Sequence, residues 1–266
     1  MSSVPIPQES VVPMAQIAPG IIGLRIVFVN VFGVSHGAGT WTLIDAGMPF
    51  SASYIRHWAE GHFSGAPEAI VLTHGHFDHV SAASELADAW QVPIYAHPLE
   101  FPWLTGKESY PAPDVGAGGG MMSWLSPLYP RGPVDLGTRL QPLPTREDAP
   151  AAALPGWQVI HTPGHTVGHV SFFRPSDRLL LAGDAFCTTK PESFFEAAIA
   201  QRPELHGPPA YFTWNPELAA TSVQRLAALR PEVLAPGHGH PLAGADVADK
   251  LSRFAREFAS SKRSAA

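Results

Sequence analysis

Residues 73–80 of the chain read THGHFDHV, which places three histidines and one aspartate within six positions. The flanking residues are largely apolar, and burying so many polar groups is costly unless they find partners. A single histidine in such a setting is usually a hydrogen-bonded core residue. Four polar groups together predict either a solvated loop or a bound ligand, and the rest of the sequence decides between them.

The composition is that of a folded protein with a sizeable core. Of the 266 residues, 45% are hydrophobic and 15% are charged, and the net charge is −6. Disorder is not expected at this balance. Nucleic-acid-binding chains normally carry a basic surface, so we predict no nucleic-acid partner.

The sequence also predicts a cytoplasmic protein without a membrane partner. Its one cysteine, Cys187, suits a reducing compartment. The first residues lack the basic segment of a secretory signal. The apolar run IIGLRIVFVNVFGV (21–34) is too short to span a bilayer and contains Arg25.

Short runs typical of β-strands recur along the chain, and each ends in turn residues or a polar cluster. They are IVFVNVFGV (26–34), TWTLIDAG (40–47), EAIVLTH (68–74), VPIYAH (92–97), WQVIHTPGH (157–165), HVSFFR (169–174), RLLLAGDA (178–185) and PEVLAPGHG (231–239). We predict helices over 80–90, 215–231 and 244–261. The second should begin at Asn215 and Pro216. Its expected core face is Leu218, Val223, Leu226 and Leu229.

No linker divides the chain, so we predict a single domain over residues 1–266. Two irregular stretches interrupt the pattern, near 98–155 and 188–213. Insertions of this length are commonly lids, binding loops or flexible segments.

Several predicted strands end in the same chemistry, in the segments LTHGH, HTPGH, LAGDA and LAPGHG. Loops at strand ends are where ligand sites tend to lie. The candidate groups are His74, His76, Asp78, His79, His165, Asp184 and His238. Imidazole and carboxylate without a nearby thiolate suit zinc, with iron or manganese as the alternatives.

These segments resemble the ligand motifs of the metallo-β-lactamase superfamily. THGHFDHV has the HxHxDH signature, and TPGHT around His165, GDA around Asp184 and PGHG around His238 follow in order. The resemblance implies an α/β fold of the αββα sandwich type, with two mixed sheets flanked by helices. It places the site at one edge, between the two sheets.

The same resemblance implies an assignment of ligands. His74, His76 and His165 would hold one zinc ion, and Asp78, His79 and His238 would hold a second. Asp184 would bridge the two ions.

The activity implied is hydrolysis by a metal-bridging hydroxide, with Asp78 orienting the hydroxide and taking its proton. An aspartate in the bridging position resembles the glyoxalase II-like and lactonase branches, whereas the β-lactamase branches usually lack it. We therefore expect a small-molecule ester, thioester or lactone as substrate. Candidate substrate contacts are Phe77, Lys190 and Tyr211.

Four other functions are weighed against this one. β-Lactam hydrolysis is one of them, as main or side activity. A mononuclear iron oxygenase resembling persulfide dioxygenase would hold one iron. A nuclease of the same superfamily is disfavoured by the acidic chain, and a non-catalytic metal-binding module is disfavoured by the complete ligand set.

Other polar residues have structural interpretations. Surface or loop positions are predicted for His36, His57, His62 and His206. We predict that five residues either orient the ligands through hydrogen bonds or pack near them: Asp45, His97, His161, His169 and His240. Cys187 is expected to be a small buried apolar residue.

Overall fold

The computed structural model describes residues 3–6, 10–146 and 151–263. Two mixed β-sheets pack face to face with helices on their outer sides, so the predicted αββα sandwich is confirmed. In the described part of the chain, the first sheet has the strand order β2 (Ile21–Ile26), β3 (Val29–Gly37), β4 (Thr40–Ile44), β5 (Ala69–Val71), β6 (Ile94–Ala96) and β7 (Leu140–Pro142). The second has the order β13 (Leu242–Ala243), β12 (Val233–Pro236), β10 (Leu179–Gly183), β9 (Val170–Arg174) and β8 (Gln158–His161). A short ladder pairs β1 (Val4–Pro5) with β11 (Glu204–Leu205).

The helices lie between the strands in sequence. They are α1 (Ala52–His62), α2 (Phe77–Val80), α3 (Ala83–Trp90), α4 (Phe101–Leu104), α5 (Met121–Leu125), α6 (Pro216–Ala228) and α7 (Val247–Arg263). Phe195–Ala200 forms a short π-helix. Among the described residues, no helix is both long and apolar enough to cross a bilayer.

In the first sheet, side chains alternate between the face covered by helices and the face that packs against the second sheet. In β5, Ile70 packs in one cluster with Ile55 of α1 and Leu86 of α3. Its neighbour Val71 points to the opposite face and packs with Phe172 of the second sheet. Because successive residues of a strand face opposite sides, one short strand serves two cores.

The second sheet is covered in the same way by α6 and α7. Leu180 of β10 and Leu234 of β12 pack in one cluster with Val223 of α6 and Phe254 of α7, and all four side chains are fully buried. Burying a side chain of this kind contributes roughly 1.5–3 kcal/mol relative to exposure.

Strand direction brings the polar loops to one edge of the sandwich. β4 and β5 are parallel neighbours in the first sheet, and β10 and β12 are parallel neighbours in the second. The loops that follow parallel neighbours leave the sheet at the same edge, which is where open α/β sheets bind ligands.

One predicted strand is wrong as a single element. The run 26–34 is split by a tight turn at Val27 and Phe28, so it forms the end of β2 and most of β3. Val27 has φ of 59°, a left-handed conformation that is rare for a β-branched residue. No glycine or asparagine marks this turn in the sequence.

The helix predictions are confirmed with shifted ends. The helix predicted over 80–90 forms only from Ala83, after the separate turn of α2. α6 begins at Pro216, and the Asn215 side chain accepts hydrogen bonds from the backbone of Glu217 and Leu218. Leu218 was predicted to face the core, but it is 37% exposed.

The two irregular stretches contain more structure than the sequence indicates. Within 98–155, where residues 147–150 lie outside the described chain, β7 pairs with β6 and extends the first sheet. The stretch 188–213 includes the π-helix and β11.

Candidate metal centre

All seven predicted ligand residues lie together at this edge of the sandwich. Five loops supply them and their support: those after β4, β5, β8, β10 and β12. The site therefore takes its residues from both sheets.

Three histidines form the first group. His76 Nδ1 lies 3.2 Å from His74 Nε2 and 2.9 Å from His165 Nε2. His74 and His76 reach the same point because they are two residues apart in extended chain before α2, and His165 arrives from the loop after β8.

Asp78, His79 and His238 form the second group. His238 Nε2 lies 3.4 Å from Asp78 Oδ2, while His79 Nε2 lies 4.0 Å from the same oxygen. Asp78 and His79 belong to α2, which begins immediately after His76.

The Asp184 carboxylate lies between the two groups. Its Oδ2 is 3.5 Å from His165 Nε2 in the first group and 3.0 Å from His238 Nε2 in the second. Its Oδ1 is 3.3 Å from His79 Nε2. Asp184 follows the last residue of β10, so the end of a central strand positions it.

The first group presents neutral imidazoles. Burial lowers the pKa of His76 to about 3. Burial and the neighbouring imidazoles lower the pKa of His74 and His165 well below the usual value. A neutral imidazole carries a proton on only one nitrogen. Three such rings with inward nitrogens this close are the donor set that a divalent cation takes.

For His79 of the second group and for Asp184, charge interactions between carboxylates and imidazoles outweigh the effect of burial on the pKa. Burial lowers the pKa of His79, but Asp184, Asp45 and Asp78 outweigh it and raise that pKa well above its usual value. For Asp184, burial raises the pKa, but His238 and His79 hold it well below its usual value.

Two buried atoms of the cluster are left without a well-formed hydrogen bond, His79 Nε2 and Asp184 Oδ1. Buried polar atoms are rarely left unsatisfied. One cation facing both atoms would satisfy them, so the residues present fit a metal on chemical grounds.

Asp45 fixes the orientation of His79. Its Oδ2 lies 2.7 Å from His79 Nδ1, and its two oxygens accept hydrogen bonds from the backbone and hydroxyl of Thr73. A carboxylate on Nδ1 leaves Nε2 free to face the cluster, an arrangement found behind metal-bound histidines.

Other partners fix the remaining ligands from behind. His238 Nδ1 lies 2.8 Å from the carbonyl oxygen of Phe28. His169 Nε2 accepts a hydrogen bond from the backbone N–H of Asp184 at 2.9 Å. Burial lowers the pKa of His169 to about 3, so its ring is neutral and can accept this bond.

Glu100 is the supporting residue that the sequence did not reveal. It is fully buried, and its Oε2 accepts hydrogen bonds from the Gly75 backbone and the Tyr110 hydroxyl. Its Oε1 accepts hydrogen bonds from the Thr166 hydroxyl and the Gly168 backbone. One carboxylate thus ties the loop of His74 and His76 to the loop of His165.

The candidate substrate contacts fall in two places. Phe77 and Tyr211 line a small cavity directly against the cluster, together with Asp78 and Asp184. Lys190 does not: it is exposed and lines a separate surface depression. The structure therefore does not bring Lys190 to the site.

The remaining histidines divide by burial. His57 and His62 are exposed on α1, and His36 is half-buried on β3. His206 lies in the connecting segment after β11 but not at the surface: it is 6% exposed, with its Nε2 3.0 Å from a Glu204 oxygen.

Four more residues have structural surroundings. The rings of His97 and His161 stack with their centroids 4.4 Å apart. His240 Nδ1 lies 2.9 Å from a guanidinium nitrogen of Arg25. Cys187 is fully buried, as predicted.

The family model and the relatives that match this chain point to the same family. The model of the metallo-β-lactamase superfamily matches residues 24–238. The Bacillus subtilis protein named probable metallo-hydrolase YflN is 43% identical over 247 residues, which cover 91% of this chain and 92% of that protein. Probable metallo-hydrolase YybB of the same organism is 29% identical over 178 residues, 67% of each chain.

Solved structures share the architecture. The crystal structure of TTHA1623 in a di-iron-bound form is 29% identical, with a TM-score of 0.56 over 84% of this chain and 93% of that one. The BLEG-1 B3 metallo-β-lactamase is 23% identical, with a TM-score of 0.56 over 84% and 92% of the two chains. At that identity the second similarity shows the fold alone.

Proposed function

The chain belongs to the metallo-β-lactamase superfamily and is a metal-dependent hydrolase, and from this premise we propose that it is a dinuclear zinc enzyme that hydrolyses a small ester, thioester or lactone. The observation that carries the proposal is the position of Asp184. Its carboxylate lies within 3.5 Å of a histidine from each group. A carboxylate has two oxygens, so it can bridge two ions.

The ligand roles follow from this arrangement. His74, His76 and His165 would hold one ion, Asp78, His79 and His238 the other, and Asp184 both. Bound zinc ions supply Lewis acidity toward a carbonyl oxygen and a hydroxide nucleophile at neutral pH.

The chain's own residues would position and deprotonate the reactants. Asp78 lies at the wall of the small cavity, where its free oxygen can accept a proton during the attack. Phe77 and Tyr211 line the same cavity, and contact of an acyl group with these rings would orient its carbonyl. The cluster side chains are nearly fully buried, so substrate entry displaces water and strengthens every charge interaction there.

Zinc is the metal that we propose, and iron is the alternative. Nitrogen and oxygen donors without thiolate suit both metals. A solved relative, TTHA1623, is described in a di-iron-bound form, so iron is the alternative that metal analysis must distinguish.

The proposal also includes the size of the substrate, the cellular compartment and the absence of a nucleic-acid substrate. We propose a small-molecule substrate, because the cavities beside the cluster are small and aromatic side chains form part of their walls. The free cysteine Cys187 suits the reducing cytoplasm. The net charge of −6 argues against a nucleic-acid substrate.

The test is hydrolysis by metal-loaded protein of a panel of aryl esters, thioesters, lactones, β-lactams and phosphodiesters. We expect turnover of a carboxylic ester, thioester or lactone, and a fall of at least about 100-fold for Asp184→Asn and His76→Ala. The matched controls are Asp249→Asn and His57→Ala, both at exposed helix positions.

Circular dichroism of all four variants should match the wild type. Near wild-type rates in both site variants would contradict the dinuclear mechanism. Preferred turnover of the phosphodiester or the β-lactam would contradict the substrate class.

A further inference from the structure

A larger cavity, of about 320 Å³, opens beside the first histidine group. His76 and His165 form its inner end, and its walls include Trp103, Phe212 and Trp214. A volume of this size is within the range of small-molecule binding sites. It is therefore large enough to hold a part of the substrate that does not react.

The aromatic wall runs continuously outward from the metal ligands. The Tyr110 ring lies 4.6 Å from the His76 ring, and Trp103 stacks on Tyr110 at 4.7 Å with nearly parallel planes. On another side, the Phe212 ring lies 5.1 Å from His76. Contact with this wall favours an apolar group.

Three of the hydroxyl groups that line the cavity already have protein partners. The hydroxyls of Tyr110 and Thr166 both donate to Glu100. The Thr213 hydroxyl donates to the carbonyl oxygen of Pro209. The lining also includes the Tyr211 hydroxyl and the indole N–H groups of Trp103 and Trp214, which are uncharged donors that a ligand can use.

Away from the proposed metal site, the described lining also lacks a cationic side chain that could pair with an anionic ligand. Among the described residues that line the cavity, none is lysine or arginine, and Asp114 is the one carboxylate. Moving a carboxylate from water into such surroundings without a partner is unfavourable.

We infer that this cavity binds an uncharged, apolar arm of the substrate, an acyl chain or an aromatic ring joined to the reacting carbonyl. Substrates whose arm ends in a carboxylate are disfavoured. The inference rests on the proposed function for its reacting group, but the cavity and its walls are independent of the metal.

The test compares matched aryl esters with a six-carbon acyl arm that ends in a methyl, a carboxylate or a trimethylammonium group. A second series carries the same arms on the alcohol side. In at least one series we expect kcat/KM for the methyl-ended arm to exceed that for the carboxylate-ended arm by about tenfold or more. Equal or better turnover of the carboxylate-ended arm or of the trimethylammonium-ended arm in both series would overturn the inference.

A second test uses two matched variants, one of which introduces a positive charge at the cavity wall. Ala112 is exposed and lines the cavity. In Ala112→Lys we expect the ratio of kcat/KM for carboxylate-ended to methyl-ended arms to rise about tenfold. Ala112→Gln, which is similar in length and uncharged, should leave the ratio near the wild-type value. An unchanged ratio in the lysine variant would count against the assigned cavity.

Binding to metal-free protein separates the inference from the proposed function. Tryptophan fluorescence is titrated with N-methylhexanamide and with its analogue that ends in a carboxylate, since Trp103 and Trp214 line the cavity. Tighter binding of the uncharged amide supports the inference even where no ester is hydrolysed, in which case only the proposed function fails. Equal or tighter binding of the carboxylate would overturn the inference whatever the enzyme activity.

Discussion

At the scale of single residues, Glu100 joins the loop of His74 and His76 to the loop of His165, because it accepts hydrogen bonds from Gly75 in one and Gly168 in the other. The seven ligand candidates stand in short motifs, so their chemistry was visible in the sequence. Glu100 stands in the segment HPLEFP, without a motif, and its partners lie 25 residues upstream at Gly75 and 68 residues downstream at Gly168. Only the fold brings these groups together.

We expect Glu100→Gln to loosen the metal site. Burial raises the pKa of Glu100 and four donated hydrogen bonds oppose that rise. An amide replaces one acceptor oxygen by a donor that faces other donors, so the two loops lose a shared anchor. Loss of such a support typically costs about 10–100-fold in metal affinity.

The measurement is metal affinity by competition with a chelator, on Glu100→Gln and on the exposed control Glu108→Gln. Far-UV circular dichroism shows whether each variant is folded. Wild-type affinity in a folded Glu100→Gln protein would mean that Glu100 does not position the ligand loops.

At the scale of secondary-structure elements, the apolar runs predicted which segments contain strands more accurately than they predicted where each strand begins and ends. All eight predicted runs contain a strand, because alternation and turn residues are local signals. The turn at Val27 has no such signal, since a β-branched residue adopts a left-handed conformation there. Tertiary pairing of β2 with β3 overrides the local preference.

The N-terminus of α6 gives a prediction at this scale. The Asn215 side chain caps the helix, and its backbone N–H donates to the carbonyl oxygen of Gly164 beside His165. We expect Asn215→Ala to lower the free energy of unfolding by about 1 kcal/mol, because two backbone N–H groups lose their acceptor. Urea denaturation measures this change.

The matched control is Gln224→Ala, at an exposed position of the same helix. It should change stability by no more than about 0.5 kcal/mol. A loss in Asn215→Ala no larger than in the control would mean that the cap contributes little to α6.

At the scale of the whole molecule, the order of the motifs predicted the sandwich, and composition alone would not have done so. Strand-like runs alternating with helices fit several α/β folds. The resemblance of the motifs to those of the metallo-β-lactamase superfamily selected one of these folds. The walls of the larger cavity come mainly from 98–155 and 188–213, where no periodicity indicates a structure.

The candidate metal centre takes its residues from both sheets. His74, His76, Asp78 and His79 follow β5 of the first sheet, whereas His165, Asp184 and His238 follow strands of the second. Within each proposed ligand set, residues come from both sheets. Two ions would therefore hold both sheets at this edge.

The most direct test is the metal content per chain of wild-type protein and of Asp78→Ala, purified without added metal and measured by elemental mass spectrometry. We expect close to two zinc ions per wild-type chain and close to one in the variant, which lacks a ligand from the second group only. One iron per wild-type chain, or two ions retained in Asp78→Ala, would contradict the dinuclear zinc site.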